Sequence, residues 1–411
     1  MTRGPLSPRD AAYITLLRVF EHEAYADRAF ATAATGLDPR DRAFAQRMAF
    51  GAVQRKRTLD HAIDTLGRRP VRKLHPPVRA ALRLGAYQIG FVDSVPPHAA
   101  ANETVELVRA AGLERAVAFT NAVMRRLAEG MKELLDALPE GTPQEAALKH
   151  SYPDWIAETF WRDFGAEEAR ELLRAQNEPP PTVVRVVRGD PPPGEPDPLV
   201  PGALHVDRVD DEALAEGRIW PQSVGSQLAG LSVGSQPGER ILDLCAAPGG
   251  KATMLAGEVT AVELHAARAR ELEANVKRLG ATNVTVVNAD ATALPPELTG
   301  FDRVLVDAPC SGLGVLGPRP DLRWRSKPLP ELQLQLLRAA AERVKPGGTI
   351  LYSVCALNAD ENEAIVDASG LEVVPLGEEW PAFAHPRRPE FLLTLPHRHQ
   401  TSGFFIARLR A

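Results

Sequence analysis

The sequence predicts an α/β protein: a doubly wound, mostly parallel, Rossmann-like sheet domain, preceded by an all-α domain and a small α+β connector. Three observations carry this. The chain has 411 residues, more than one hydrophobic core usually serves, so several domains are expected. Its first 130 residues repeat apolar side chains at helical spacing. From Gln222 onward, short β-branched runs alternate with helical stretches, the pattern of βαβ units. Hydrophobic residues at 44% and charged residues at 25% exclude a disordered or fibrous chain. Apolar runs break within about ten residues, short of the ~20 that a membrane-spanning helix needs. The N-terminal stretch MTRGPLSPRD shows no secretory h-region, so a cytoplasmic location is expected.

The first helix is expected after Ser7-Pro8, a cap followed by a first-turn proline, with Ala12, Leu16, Val19 and Phe20 at helical spacing. Asp38-Pro39 repeats that start. It opens a stretch with Phe44, Met48 and Ala52 on one side and Arg42, Arg47, Arg55, Lys56 and Arg57 around the rest. Further helices are expected over 78–89, 99–111 and 114–127, with Gly112 separating the last two. The helical domain spans 1–130. Residues 131–220 form the connector, helical to 176 with Tyr152-Pro153-Asp154 as a turn and cap, then a β-prone run over 182–187 and a loop over 190–198. The sheet domain covers 221–411, with strands expected at 241–244, 258–263, 284–288, 303–307, 349–354 and 404–409.

The formal net charge of −5 would argue against a nucleic-acid partner only if it were evenly spread. Residues 1–130 hold 20 Lys and Arg against 13 Asp and Glu, a balance of +7, and the remainder carries −12. This asymmetry fits a nucleic-acid-facing module joined to a part with another task. A basic helical scaffold with solvated faces is the alternative.

The first strand of the sheet domain runs into Cys245-Ala246-Ala247-Pro248-Gly249-Gly250-Lys251. In doubly wound folds the ligand lies at the carboxyl ends of the strands, and small residues in the first strand-to-helix turn let the backbone approach it. The turn is neither a Walker A sequence nor G-x-G-x-x-G, which disfavours a nucleoside triphosphate or NAD. A lone Gly-Gly pair is ordinarily just a turn. Here Glu263 closes the next strand, placed to accept ribose hydroxyls, and Asp290 closes the third. Three successive strand ends bearing ligand-type groups point to an adenosine moiety.

The fourth strand ends in Asp307-Ala308-Pro309-Cys310-Ser311-Gly312 and the fifth in Ser353-Val354-Cys355. All three cysteines therefore fall on the ligand edge of the sheet. Cys245 reads as a small buried apolar residue, whereas Cys310 and Cys355 lie where a sheet of this type does its chemistry. Three cysteines without a C-x-x-C pair give neither a zinc site nor a disulfide framework, and no metal is expected.

The strings LDLCAAPGGK (242–251), VDAPCSGLGV (306–315) with RPDLRWR (319–325), and YSVCALNADENE (352–363) resemble motifs I, IV and VI of the Sun/Nop-type RNA cytosine-C5 methyltransferases. RDRAFAQRMAFGAVQRK, LRLGAYQIGFVDSVPPHAAANETVELVR and TNAVMRRL resemble the NusB-like domain that precedes catalysis in the bacterial members acting on 16S rRNA. HSYPDWIAETF, QNEPPP, PQSVGSQLAG and LPHRHQTSGFFIARLR extend the resemblance to nearly the whole chain. It implies a class I methyltransferase fold that holds S-adenosylmethionine in the turn from Cys245 to Lys251. Glu263 would take the ribose, Asp290 the adenine amino group and Asp307 the active-site edge. Cys355 would be the nucleophile, and Cys310 would assist release of the methylated base. The implied partner is 16S rRNA, free or in an early assembly intermediate, bound by a monomer without a membrane. Arg42 to Arg57 and Arg68 to Arg83 are the expected RNA-recognising stretches, and Lys251, Arg323, Arg325 and His397 are candidate phosphate contacts.

The chemistry explains these residue types. Cytosine C5 is a poor nucleophile; thiolate addition at C6 moves electron density to C5, which then takes a methyl group. The attacking sulfur must be ionised, and Asp307 can hydrogen-bond the cytosine N3 edge. The base must also leave its stack, which costs less in a single-stranded or loop segment. Two departures from the family pattern stand out. Val354 and Ala356 flank Cys355 where Thr and Ser are usual, and Ser402 replaces the Asp of the DGFF segment. Three other readings compete: a DNA cytosine methyltransferase with Cys310 as nucleophile, a cytosine-C5 methyltransferase acting on another RNA, and a catalytically impaired RNA-binding factor.

Overall fold

The computed structural model describes residues 6–411. Residues 1–5, part of the N-terminal stretch read above for a leader, lie outside the described residues. The chain divides into two compact units, one made of residues up to 178 together with 316–325, the other of 179–315 with 326–411.

The first unit is helical: α1 (Pro8–Glu21), α2 (Ala26–Ala33), α3 (Pro39–Gln54), α4 (Lys56–Gly67), α5 (Pro76–Phe91), α6 (Pro97–Ala110), α7 (Glu114–Asp136), α8 (Pro143–His150), α9 (Asp154–Phe164) and α10 (Ala166–Ala175). The starts are chemically specified. Ser7 and Asp10 form a capping box, Asp38 caps the amide of Asp41, and Thr142 with Glu145 repeats the box, each cap contributing about 1 kcal/mol. Leu16, Phe30, Met48, Leu59, Ile63, Leu82 and Met124 share one core. The break between α3 and α4 falls at Arg55, which ends one helix and starts the next. No Gly or Pro marks it in the sequence.

The second unit opens with a small antiparallel sheet, β1 (Val183–Val186), β2 (Glu195–Pro196), β3 (Ala203–His205) and β4 (Ile219–Pro221), with α11 (Asp211–Ala215) before its last strand. After α12 (Val224–Ser232) comes the large sheet: β5 (Arg240–Asp243), β6 (Glu258–Glu263), β7 (Val284–Asn288), β8 (Phe301–Asp307), β9 (Val344–Val354), β10 (Glu372–Val374), β11 (Leu392–Thr394) and β12 (Phe404–Arg410). Its order is β10-β12-β9-β8-β5-β6-β7, with β11 on β12. The five strands β5 to β9 run parallel, and β12 enters antiparallel against β9. Alternating helices supply the crossovers: α13 (Ala266–Leu279), α15 (Pro330–Arg343) and α16 (Glu363–Ser369), while α17 (Pro396–His399) leads into β12 and α14 (Leu322–Arg325) belongs to the first unit. The winding direction reverses at β5, so the carboxyl ends of β5 and β8 flank the crevice where such sheets bind ligands.

The stretch 131–220 is distributed between the units, its helices α8 to α10 in the first and its small sheet in the second. Arg323 is fully buried and donates to Asn177 Oδ1 at 2.8 Å and the Gln176 carbonyl at 2.8 Å, with its guanidinium 3.9 Å over the Tyr152 ring. Arg325 donates to the Glu23 carbonyl at 2.8 Å and lies 4.0 Å over Tyr25. Buried carbonyls and rings occupy Arg323, so it is a structural tie of the helical unit and not the phosphate contact expected from sequence. Several arginines of the expected RNA-facing stretches are similarly engaged: Arg57 with Asp154, Arg79 with Glu21 and Arg83 with Asp60. Arg68, Arg69, Arg72 and Lys73 remain exposed, with no carboxylate partner among the described residues.

Candidate active site

At the carboxyl edge of β5 to β8, a cavity of about 270 Å³ is lined by Cys245, Ala247, Glu263, Asp290 and Asp307 together with Leu244, Leu264, His265, Arg268, Pro309 and Leu336. It thus gathers five of the residues expected to hold a cofactor. The rest of the turn shapes it from behind. Ala246 donates its amide to Val262, Pro248 accepts from Asn275, and Gly249 accepts from Thr253. Gly249 sits at φ +109, and a Cβ there would come within 2.8 Å of Leu272 Cδ1, so both backbone and space require glycine. Gly250 abuts Trp220 in the same way.

The donors and acceptors suit an adenosyl group bearing a positive charge. Glu263 is 4% exposed, with Oε1 accepting from the His265 amide at 2.8 Å and Oε2 lying 3.6 Å from Arg268. This fixes the carboxylate at the strand end. Asp290 is exposed, and its Oδ1 accepts from the amide and hydroxyl of Thr292, which hold its carboxyl below the usual range. Cys245 lines the cavity, and burial pushes its thiol well up, which agrees with packing and not with nucleophilic chemistry.

Asp243, one residue before the turn, is 1% exposed. Its Oδ1 accepts from the Cys245 amide at 3.3 Å, and its Oδ2 has no partner. Burial first, then the charge of Asp307, pushes it up to about 7. The folded value lies above the unfolded one, about 3.9, so between those values the native state binds the extra proton. Stability therefore falls as pH rises through that window and the full cost is present above it. Asp243→Asn is expected to remove up to about 4 kcal/mol of this pH dependence. Urea midpoints of variant and parent should diverge in the variant's favour from pH 5 to pH 8, and parallel profiles would count against the assignment.

Asp307 is held from two sides: Lys251 Nζ donates to Oδ2 at 2.6 Å and Ser353 Oγ to Oδ1 at 2.8 Å. Lys251 is largely buried and lies 4.9 Å from the Phe404 ring. It is therefore committed to Asp307 and does not fit the sequence expectation of a phosphate contact. Next to this pair, the Sγ atoms of Cys310 and Cys355 stand 3.4 Å apart. The contact with Cys355, followed by burial, raises Cys310 well above an ordinary thiol. Cys310 is thus held towards its thiol form by the neighbouring sulfur and by burial.

The Cys310 turn is fastened by a residue that sequence reasoning missed. Glu361 is fully buried; its Oε1 accepts from the Ser311 amide at 2.9 Å, the Leu329 amide at 3.0 Å and Gln333 Nε2 at 2.8 Å, and its Oε2 from Asn358 Nδ2 at 2.7 Å. In sequence it is one acid in an acidic run, with nothing to mark it as buried. Val354 and Ala356 are buried too, and the Cys355 backbone is anchored by the Gly314 amide, which donates to its carbonyl at 2.8 Å. The missing hydroxyls therefore do not leave the Cys355 backbone untethered. The Ser402 carbonyl accepts from Thr394 Oγ1 at 2.7 Å, and no carboxylate stands at that position. His397 lies half-buried in α17, with Cys310, Cys355 and Asp307 outside that helix.

Two family models match the chain: one described as 16S rRNA methyltransferase RsmB/F over residues 231–410, and one described as NusB family over residues 6–129. A Synechocystis protein named probable ribosomal RNA small subunit methyltransferase B is 33% identical, covering 98% of this chain and 99% of its own. The ribosomal RNA small subunit methyltransferase B of Thermus thermophilus is 37% identical, covering 80% of this chain and 78% of its own. A solved structure of a methyltransferase homolog protein from Pyrococcus horikoshii is 26% identical, with a TM-score of 0.56 over 66% of this chain and 99% of that one.

Proposed function

The chain belongs to the family described as 16S rRNA methyltransferase RsmB/F, and on that premise we propose that it methylates C5 of a cytosine in 16S rRNA through a covalent bond from Cys355 to C6. The observation that carries this reading is the pair of cysteine sulfurs 3.4 Å apart beside Asp307 at the carboxyl ends of β8 and β9. S-adenosylmethionine, when bound, supplies the electrophilic methyl group. Glu263 accepts the ribose hydroxyls, Asp290 the adenine amino group, and the small turn from Cys245 to Lys251 admits the cofactor backbone. The acids around the cavity favour its positive charge.

Cys355 adds as thiolate to C6, and the C5=C6 electron pair moves to C5; there the new carbon–carbon bond forms as the methyl–sulfur bond of the sulfonium breaks, its electron pair staying on the departing sulfur. Asp307, braced by Lys251 and Ser353, holds the N3 edge of the base. With Cys355 bonded to C6, the contact that keeps Cys310 protonated is gone. Cys310 gives its proton to solvent and, as thiolate, takes the C5 proton; the C5=C6 bond re-forms, and Cys355 leaves C6 as thiolate. The helical unit, with its exposed Arg68, Arg69, Arg72 and Lys73, supplies phosphate-directed attraction that weakens as salt is raised.

The test uses unmodified 16S rRNA and labelled S-adenosylmethionine. The label is expected in 5-methylcytosine; label on a ribose oxygen or an exocyclic amine would sink the reading. Cys310→Ala should stall after transfer and build up a protein–RNA adduct that survives denaturation. Loss of the adduct in Cys310→Ala would instead make Cys310 the nucleophile, as in a DNA-type enzyme.

A further inference from the structure

The helical unit holds a second cavity, of about 230 Å³. Phe91, Leu135 and Leu138 give it an apolar lining, and Arg55, Lys149 and Arg174 bring three cations to it. Their charges are unevenly spent. Lys149, Arg174 and His150 share one carboxylate, Glu140, at 3.3, 3.6 and 2.8 Å. His150 is held towards its neutral form by burial, so Glu140 offsets a single charge between Lys149 and Arg174. Arg55, fixed at the α3–α4 junction, is half-buried 4.8 Å over the Phe91 ring; its side chain has no hydrogen bond or ion pair among the described residues, and the charge of Glu178 acts on it only weakly, after burial and two tyrosines. Burial lowers its pKa. The cavity's own carboxylate, Glu178, is exposed to solvent.

A half-buried guanidinium whose fork of donors has no protein acceptor is best met by a bidentate anion. The apolar lining and a volume beyond that of a lone anion fit an anion carried on a sugar. We propose that this cavity binds one backbone phosphate of the RNA substrate, with Arg55 as its main donor, Lys149 and Arg174 at its rim, and the adjoining ribose or base against Phe91, Leu135 and Leu138. The proposal rests on the reading of the chain as an RNA methyltransferase, and it assigns that RNA a phosphate grip outside the cleft of the sheet.

The experiment is equilibrium binding of an unmodified 16S rRNA fragment to the full chain across a series of salt concentrations. Arg55→Met keeps the side-chain volume and removes the charge. The slope of log affinity against log salt should become shallower by about 0.7–0.9, the share of one phosphate contact. Lys149→Gln, a more exposed change, covers the case in which Arg55→Met fails to fold, and should shift the slope in the same direction. Unchanged slopes in both, with parental melting temperatures, overturn the proposal. Inorganic phosphate provides a second arm: a phosphate site abolished by Arg55→Met while the RNA slope stays fixed would make the occupant a free anion and would also overturn it. Binding is read without S-adenosylmethionine, so failure of the catalytic reading, seen as turnover, is a separate outcome.

Discussion

Cys355→Ala is expected to lose methyl transfer by about 10⁴-fold or more, the scale seen when an enzyme loses its covalent nucleophile. The reason is that nothing else on the ligand edge can replace it. Cys245 is a packed thiol whose burial holds it protonated. Cys310 is held as a thiol by its contact with Cys355, and its place in the mechanism is after the bond is made. Without addition at C6, C5 has no electron density to offer the methyl group. Single-turnover transfer to 16S rRNA is the measurement, with melting temperature as a control, since loss of one sulfur atom at a half-buried position is tolerated. Turnover within tenfold of the parent would remove Cys355 from the mechanism.

Glu361→Leu is expected to be the most damaging change outside the reacting groups, destabilising the protein by about 3–5 kcal/mol. Leucine fills the space but accepts nothing. The Ser311 and Leu329 amides would lose this acceptor, while Gln333 Nε2 and Asn358 Nδ2 would keep only the Pro309 carbonyl and Ser311 Oγ. An unmatched buried donor costs about 1–3 kcal/mol, and the site can relax only in part. Glu361→Gln keeps an acceptor oxygen where three of the four donors converge, so its loss should be about half as large or less. Urea denaturation separates the two, and a Leu variant within 1 kcal/mol of the parent would refute the argument. Because Ser311 follows Cys310, the Gln variant should also slow release of methylated RNA more than it weakens RNA binding.

The cleft was legible in the sequence because its chemistry sits at strand ends. A short apolar strand announces its own terminus, and the few residues around it are then known to lie on the ligand edge. Cys245, Glu263, Asp290, Asp307, Cys310 and Cys355 all lie at a strand end or within three residues of one, and the structure brings all but the two reacting cysteines to one cavity, with those two paired in the turns that follow β8 and β9. Partnerships across long sequence distances were not legible. RPDLRWR stands beside the Cys310 motif, yet Arg323 belongs with Tyr152, Gln176 and Asn177. Nothing local separates an arginine aimed at carbonyls from one aimed at phosphate. Arg83 reads as a surface charge on α5 until Asp60 is found 2.7 Å away, making two hydrogen bonds with it. Glu361 needed the Ser311 turn and the start of α15, besides Asn358 of its own loop, to become visible.

The short segment 316–325, which returns to the helical unit from within the sheet-forming part of the chain, bears on how the protein emerges from the ribosome. When residue 178 has been made, the seat for Arg323 exists but its occupant does not. Residues 179–315 must be synthesised first, a delay of roughly 10–30 s at ordinary elongation rates. Tyr152, Gln176 and Asn177 wait through that interval without the guanidinium they later share. Native closure of the N-terminal unit is therefore set by translation of the Cys310 region, and a nascent chain halted before residue 325 should be cut more readily by protease around residues 150–178 than the finished protein.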